Sequence, residues 1–145
     1  MAFQGNFACD AFKTGLMDGI YDFSATTTDV YKIALYTNSA TLNQNTPAYT
    51  SSGEVSGNGY VAGGKVLVIG VNPTNSNDIS YLSFNDISWT GSTFTARGAL
   101  IYKADGVTNP AVCVLDFGSD KTTTNGTFTV QFPSATSTSA VIRIS

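Results

Sequence analysis

The chain has 145 residues, carries a net charge of −3 with an isoelectric point near 4.5, and only 12% of it is charged. One hydrophobic core fits that length and two would not, because very small domains bury too little surface to hold together. The seven lysines and arginines are scattered from Lys13 to Arg143 without a basic run, so a phosphate backbone finds no matching charge and nucleic acid is not an expected partner.

The first feature along the chain is an arm, Phe3-Gln4-Gly5-Asn6-Phe7, with two large apolar side chains and too few residues for a core of its own. From Cys9 to Tyr21, Phe12, Leu16 and Ile20 recur every four positions, with Lys13 and Asp18 off the stripe. That spacing predicts a short amphipathic helix, weakened by Gly15 and Gly19 and ending near Asp22. Arm and helix, residues 1–22, are expected to precede a β-sandwich of residues 23–145 within one structural domain. Period two then replaces period four: Tyr31, Ile33 and Leu35 share one face of a strand over Tyr31–Tyr36. The polar stretch from Thr37 to Gly59 is too long for an ordinary hairpin connection and reads as a functional or partner-packed loop.

Lys65–Val71 is a nearly continuous β-branched run suited to a strand buried on both sides, and Asn72-Pro73 is expected to end it. Ile79–Trp89 and Phe94–Lys103 read as a hairpin turning at Gly91-Ser92, with Asp105-Gly106 as the next turn. Ala111–Phe117 is a further strand, Gly118–Gly126 a polar loop, and Thr127–Phe132 a strand alternating Phe128, Val130 and Phe132 with polar residues, stopped by Pro133. Val141–Ile144 closes the series. The surface between these runs is made of Thr, Ser and Asn, which suit strands and turns better than helix interiors. About eight strands and one helix predict a mostly β, single-domain antiparallel β-sandwich or jelly roll with a short N-terminal helix.

The chain contains no histidine, which excludes Ser-His-Asp and Cys-His catalysis and removes the commonest metal ligand. Paired carboxylates among Asp86, Asp105, Asp116 and Asp120 would suffice for glycoside hydrolysis, but Asp105 sits in an Asp-Gly turn and Asp120 in a polar loop, where turn formation accounts for them. Gly57-Asn58-Gly59 and Gly63-Gly64 lack the helix and the Gly-Lys-Ser/Thr ending of a phosphate loop and read as turns or bulges. Asn75, Asn77 and Asp78 offer oxygens to calcium, though not at EF-hand spacing. Trp89 with Tyr81 or Tyr102 would make a sugar-binding platform if exposed, while its place in step with core positions reads as core. Cys9 and Cys113 show neither metal nor redox spacing and read as buried free thiols. No catalytic residue, cofactor or metal site is expected, and the chain is not read as an enzyme. Met1–Gly5 has no signal-peptide character and no apolar run reaches the ~18 residues of a membrane span, so a cytosolic, membrane-free origin is expected.

Four segments carry a resemblance: Asp29-Val30-Tyr31-Lys32-Ile33-Ala34-Leu35-Tyr36-Thr37, Glu54-Val55-Ser56-Gly57-Asn58-Gly59-Tyr60-Val61-Ala62-Gly63-Gly64-Lys65, Phe94-Thr95-Ala96-Arg97-Gly98-Ala99-Leu100-Ile101-Tyr102, and Val114-Leu115-Asp116-Phe117-Gly118-Ser119-Asp120-Lys121. In this order, from the helix through Pro133, they resemble a family of small structural proteins of tailed bacteriophages that includes jelly-roll capsid cement, or decoration, proteins. The resemblance implies a protein of the virion, on the capsid exterior and assembled in the host cytoplasm, that binds the major capsid protein as a homotrimer at threefold or quasi-threefold positions. Under it, Phe3, Phe7 and Phe12 become candidate protein-interface residues that anchor the arm on the shell or on a sister subunit; the plainer alternative is that they cap the open end of the sandwich. A tail or neck component of the virion and a carbohydrate-binding module are the rival readings.

Overall fold

The computed structural model describes residues 3–145, with elements β1 (Phe7–Ala8), α1 (Asp10–Met17), β2 (Tyr31–Tyr36), β3 (Lys65–Val66), β4 (Ile69–Ser76), β5 (Ile79–Phe84), β6 (Ile87–Lys103), β7 (Ala111–Val130) and β8 (Ile142–Ile144). Two antiparallel sheets form a β-sandwich, the larger in the order β1-β7-β6-β2-β3 and the smaller in the order β4-β5-β8. Among the described residues, no helix is long and apolar enough to cross a membrane.

Strand β2 shows why the larger sheet holds. Tyr31, Ile33 and Leu35 sit opposite Lys103, Ile101 and Ala99 of β6, and every residue of β2 except Lys32 is buried. On one side Tyr31 stacks on Phe23 at 4.4 Å and approaches Phe84 of β5 at 6.3 Å. On the other the 37–64 loop covers the sheet, with Tyr36 Oη donating to the Thr50 carbonyl at 2.7 Å and Tyr49 stacked on Tyr102 of β6 at 4.9 Å. A strand enclosed on both faces has to be apolar at nearly every position.

Strands β6 and β7 run the length of the molecule. A straight 17-residue strand would reach about 55 Å, whereas a domain of this size is about 38 Å across. Register shifts between Trp89 and Ser92, between Ser92 and Phe94 and between Ala96 and Gly98 bend the pair to fit. Two expectations are corrected here. Gly91-Ser92 is no hairpin turn but lies inside β6, where Ser92 Oγ donates to the carbonyls of Trp89 and Gly126. The 118–126 stretch is strand rather than loop, with Thr122 and Thr123 opposite Thr95 and Phe94 and the surplus residues after Asp116 bulged outward. A third correction concerns β4, which continues past Pro73 because the outer strand of a sheet does not need that N–H. Its hairpin with β5 turns at Asn77-Asp78, both at positive φ, as a tight two-residue loop requires.

The N-terminal segment belongs to the sandwich core, which corrects the picture of a protruding arm. Strand β1 adds to the larger sheet through Phe7 opposite Val114 and Ala8 opposite Cys113. Phe3 is only 1% exposed and lies on Gly98 of β6, where a Cβ would collide with its ring. Helix α1 is shorter than predicted: Gly19, at φ +71°, terminates it, and Ile20 falls off the stripe and is partly exposed. Phe12 packs edge-on against Tyr21 and Phe23. Gly15, which looks like a weakness in the helix, leaves room for the Tyr21 ring, whose Oη donates to the Ala111 carbonyl at 2.7 Å. Within residues 3–22, Phe3 and Phe12 share one core with the strands.

Candidate functional site

The two edges of the sandwich are built differently. On one, β3 of the larger sheet passes into β4 of the smaller through Leu67 and Val68, so the chain itself closes the seam; Leu67 N–H donates to the Tyr31 carbonyl and Val68 carbonyl accepts from Asn85 N–H. On the other, the outer strands β1 and β8 are not joined. Between them lies a groove of about 730 Å³, walled by Phe12, Leu16 and Met17 of α1, by Cys113–Leu115 of β7 and by Ile142–Ile144 of β8. Met17 is 83% and Ile144 51% exposed. The charged residues lining this apolar groove are Lys13, held 3.0 Å from Asp10 on the helix surface, and Arg143, which donates to the Ser137 carbonyl at 3.0 Å.

Of the three candidate interface residues, Phe3 and Phe12 are buried in the chain's own core, so neither presents a free surface to a partner. Phe7 is half-buried and lines the groove. The apolar neighbours that do face outward at this place, Met17 and Ile144, carry no sequence mark beyond sitting at the end of the helix, off its apolar stripe, and in a short strand near the end of the sequence.

The cysteines are free and buried. Ala8 is the register partner of Cys113, so Cys9, one residue on, falls on the opposite face of the sheet. Its Sγ is directed at the Asn43 carbonyl under the 37–64 loop, while Cys113 lines the groove. Burial pushes the Cys9 thiol up to about 12 and raises Cys113 as well, so both are unreactive at neutral pH.

A second polar cluster fastens the 37–64 loop. Glu54 accepts hydrogen bonds from Tyr49 Oη and Tyr60 Oη, each at 2.6 Å, and from the Gly63 N–H at 2.7 Å. Tyr60 Oη in turn accepts from the Leu35 N–H of β2, and Tyr102 Oη donates to the Gly63 carbonyl. Burial raises the pKa of all four tyrosines in this region, Tyr102 to about 12 and Tyr36, Tyr49 and Tyr60 further. Neutral phenols around Glu54 make a clasp that ties the loop to β2 and β6.

Of the carboxylates considered for chemistry, Asp120 is exposed on β7 and the other three are held in local contacts. Asp116 pairs with Arg97 at 3.3 Å, and Asp86 accepts from the Phe132 N–H. Asp105 accepts from the N–H groups of Val107, Thr108 and Asn109, which hold its carboxyl down at about 2. Asn77 and Asp78 form the β4–β5 turn. Trp89 is 1% exposed, with Lys65 Nζ 5.7 Å from the centre of its ring, so it offers no sugar platform. No protein-family model matches the chain, and no curated protein or solved structure shows significant similarity to it.

Proposed function

We propose that this chain is a structural protein of a tailed-bacteriophage virion, a decoration protein that sits on the capsid exterior as a homotrimer and holds neighbouring major capsid protein subunits together. The observation that carries this reading is the exposure of large apolar side chains at separate places on firmly held backbone: Met17 beside the groove, Val107 (86% exposed) at the tip of the β6–β7 connection, and Val61, Val66 and Val68 near the closed edge. Single exposed apolar groups are ordinary on a protein surface, so what favours contact here is their seating on backbone that is already held in place. The Val107 tip is pre-shaped, since Asp105 accepts three backbone N–H groups of the 105–109 loop and Asn109 Oδ1 accepts from the Gly106 N–H. A pre-shaped loop loses little freedom on binding. Several modest contacts made at once by a closed oligomer multiply into a firm clamp. The class of partner comes from the resemblance of the four segments.

The test is co-sedimentation of the purified chain with heads of its phage that lack it. Saturable binding in multiples of three per threefold site, weakened by Val107→Asp, is the expected result. Absence from heads combined with labelling of tails or necks on intact particles would replace the capsid reading with the tail or neck reading.

A further inference from the structure

We propose that the open seam between β1 and β8 receives an extended segment of another virion protein, which pairs as an added strand along the outer edge of β8. The segment carries small or β-branched apolar side chains at alternate positions and an aspartate or glutamate placed against Arg143. The inference rests on the structural-protein reading only for the source of the segment; its chemistry is set by the seam.

Hydrogen bonding selects β8 rather than the opposite wall. Strand β8 pairs with β5 on one side and, among the described residues, has no strand beyond it on the other. Across the groove, the Asp116 N–H of β7, just past the two residues covered by β1, is already taken by Asn6 Oδ1 at 2.7 Å. The other outer strand of the smaller sheet, β4, is guarded against added strands by Pro73 and by two register shifts. Strand β8 has no proline and no register shift; its guards are its three-residue length and Arg143, and a carboxylate on an incoming strand would neutralise the second of these.

The lining selects the side chains. A strand laid on β8 turns alternate residues into the groove, where Leu16, Met17, Leu115 and Ile144 offer apolar surface. Charge selects the polar residue: on a protein of net charge −3, the groove is lined by Lys13, already paired with Asp10 at 3.0 Å, and by the cation Arg143. Arg143 makes no ion pair among the described residues, and its carbonyl partner leaves most of the guanidinium donors for a carboxylate.

Selection of yeast-displayed random dodecapeptides on the intact chain tests this. The expected result is enrichment of alternating Val, Ile or Thr together with an acidic residue. The selected peptides should slow hydrogen exchange at the amides of Ile142–Ile144 and bind Arg143→Glu and Ile144→Asp variants at least tenfold more weakly, both variants keeping the wild-type circular dichroism. Selection on Arg143→Glu should shift the enriched charge from acidic to basic. No enrichment, enrichment of helical periodicity, or binding that leaves the β8 amides unprotected would overturn strand addition. Head binding separates the two claims. Peptide results as expected with no head binding would remove the virion source and leave the strand pairing, whereas head binding unaffected by Ile144→Asp and by excess peptide would remove the strand pairing and leave the virion reading.

Discussion

The two edges of this sandwich solve the same problem in opposite ways. At the closed edge the chain crosses from β3 to β4 within two residues, and the loop leading into it is fastened by Glu54, Tyr49, Tyr60 and the Gly63 backbone. At the open edge β1 is two residues long, β8 is three, and apolar side chains line the gap between them. At the closed edge the chain's own connection joins the two sheets and the Glu54 clasp fastens the loop that leads into it. At the open edge a short strand edge and apolar side chains face outward together, the kind of place where proteins accept an added strand.

The sharpest way to break that contrast is at Glu54. Replacing it with alanine leaves two phenol hydroxyls and an N–H without their acceptor, and we expect a loss of about 3 kcal/mol in chemical denaturation. Glu54→Gln keeps one oxygen for Tyr60 and Gly63 and should cost about 1 kcal/mol; equal losses in the two variants would show that the carboxylate is not what fastens the loop. Arg97→Ala comes next. It strands Asp116 in a largely enclosed position and should cost about 2 kcal/mol, with Arg97→Lys recovering part of it.

Alkaline pH acts on the core as a whole. The folded-state pKa values of Tyr21, Tyr31, Tyr36, Tyr49, Tyr60 and Tyr102 are raised, chiefly by burial, above the about 10 of an unfolded chain. The folded state therefore holds protons that the unfolded state releases. Stability is fully present below about pH 10 and declines as the pH rises from there through the folded-state values. Tyrosinate absorbance should appear together with loss of the β circular dichroism; free titration of these phenols near pH 10 with the fold intact would contradict the enclosure described here. The smallest effects belong to the open edge. Met17→Lys and Ile144→Asp should change stability by no more than about 0.5 kcal/mol, since both side chains already face water.

Much of the sandwich is legible in local pattern because a strand's period is two. Tyr31–Tyr36 and Thr127–Val130 alternate, or run apolar, as their faces require, and both are strands. What local pattern hides is what depends on a distant neighbour. The polar run Gly118–Gly126 reads as a loop because much of it faces solvent, and only its pairing with β6 makes it strand. Phe3 reads as a free arm because the space on Gly98 that receives it lies far along the chain. Glu54 stands in a polar stretch like any loop residue; that it is the chain's one glutamate, set between Tyr49 and Tyr60, is the signal that could have marked it. The groove itself has no motif, since it is the space between two edges whose positions follow from strand order.

The pairing of β1 with residues 113 and 114 also sets a clock. Phe7 is synthesised more than 100 residues before the strand it joins, an interval of about 5–20 s at ordinary translation rates. Phe3 and Phe7 therefore spend much of that interval without the β6 and β7 neighbours that receive them. Each new chain passes through a period when this segment is adhesive, which favours finishing one molecule before crowding it with the next.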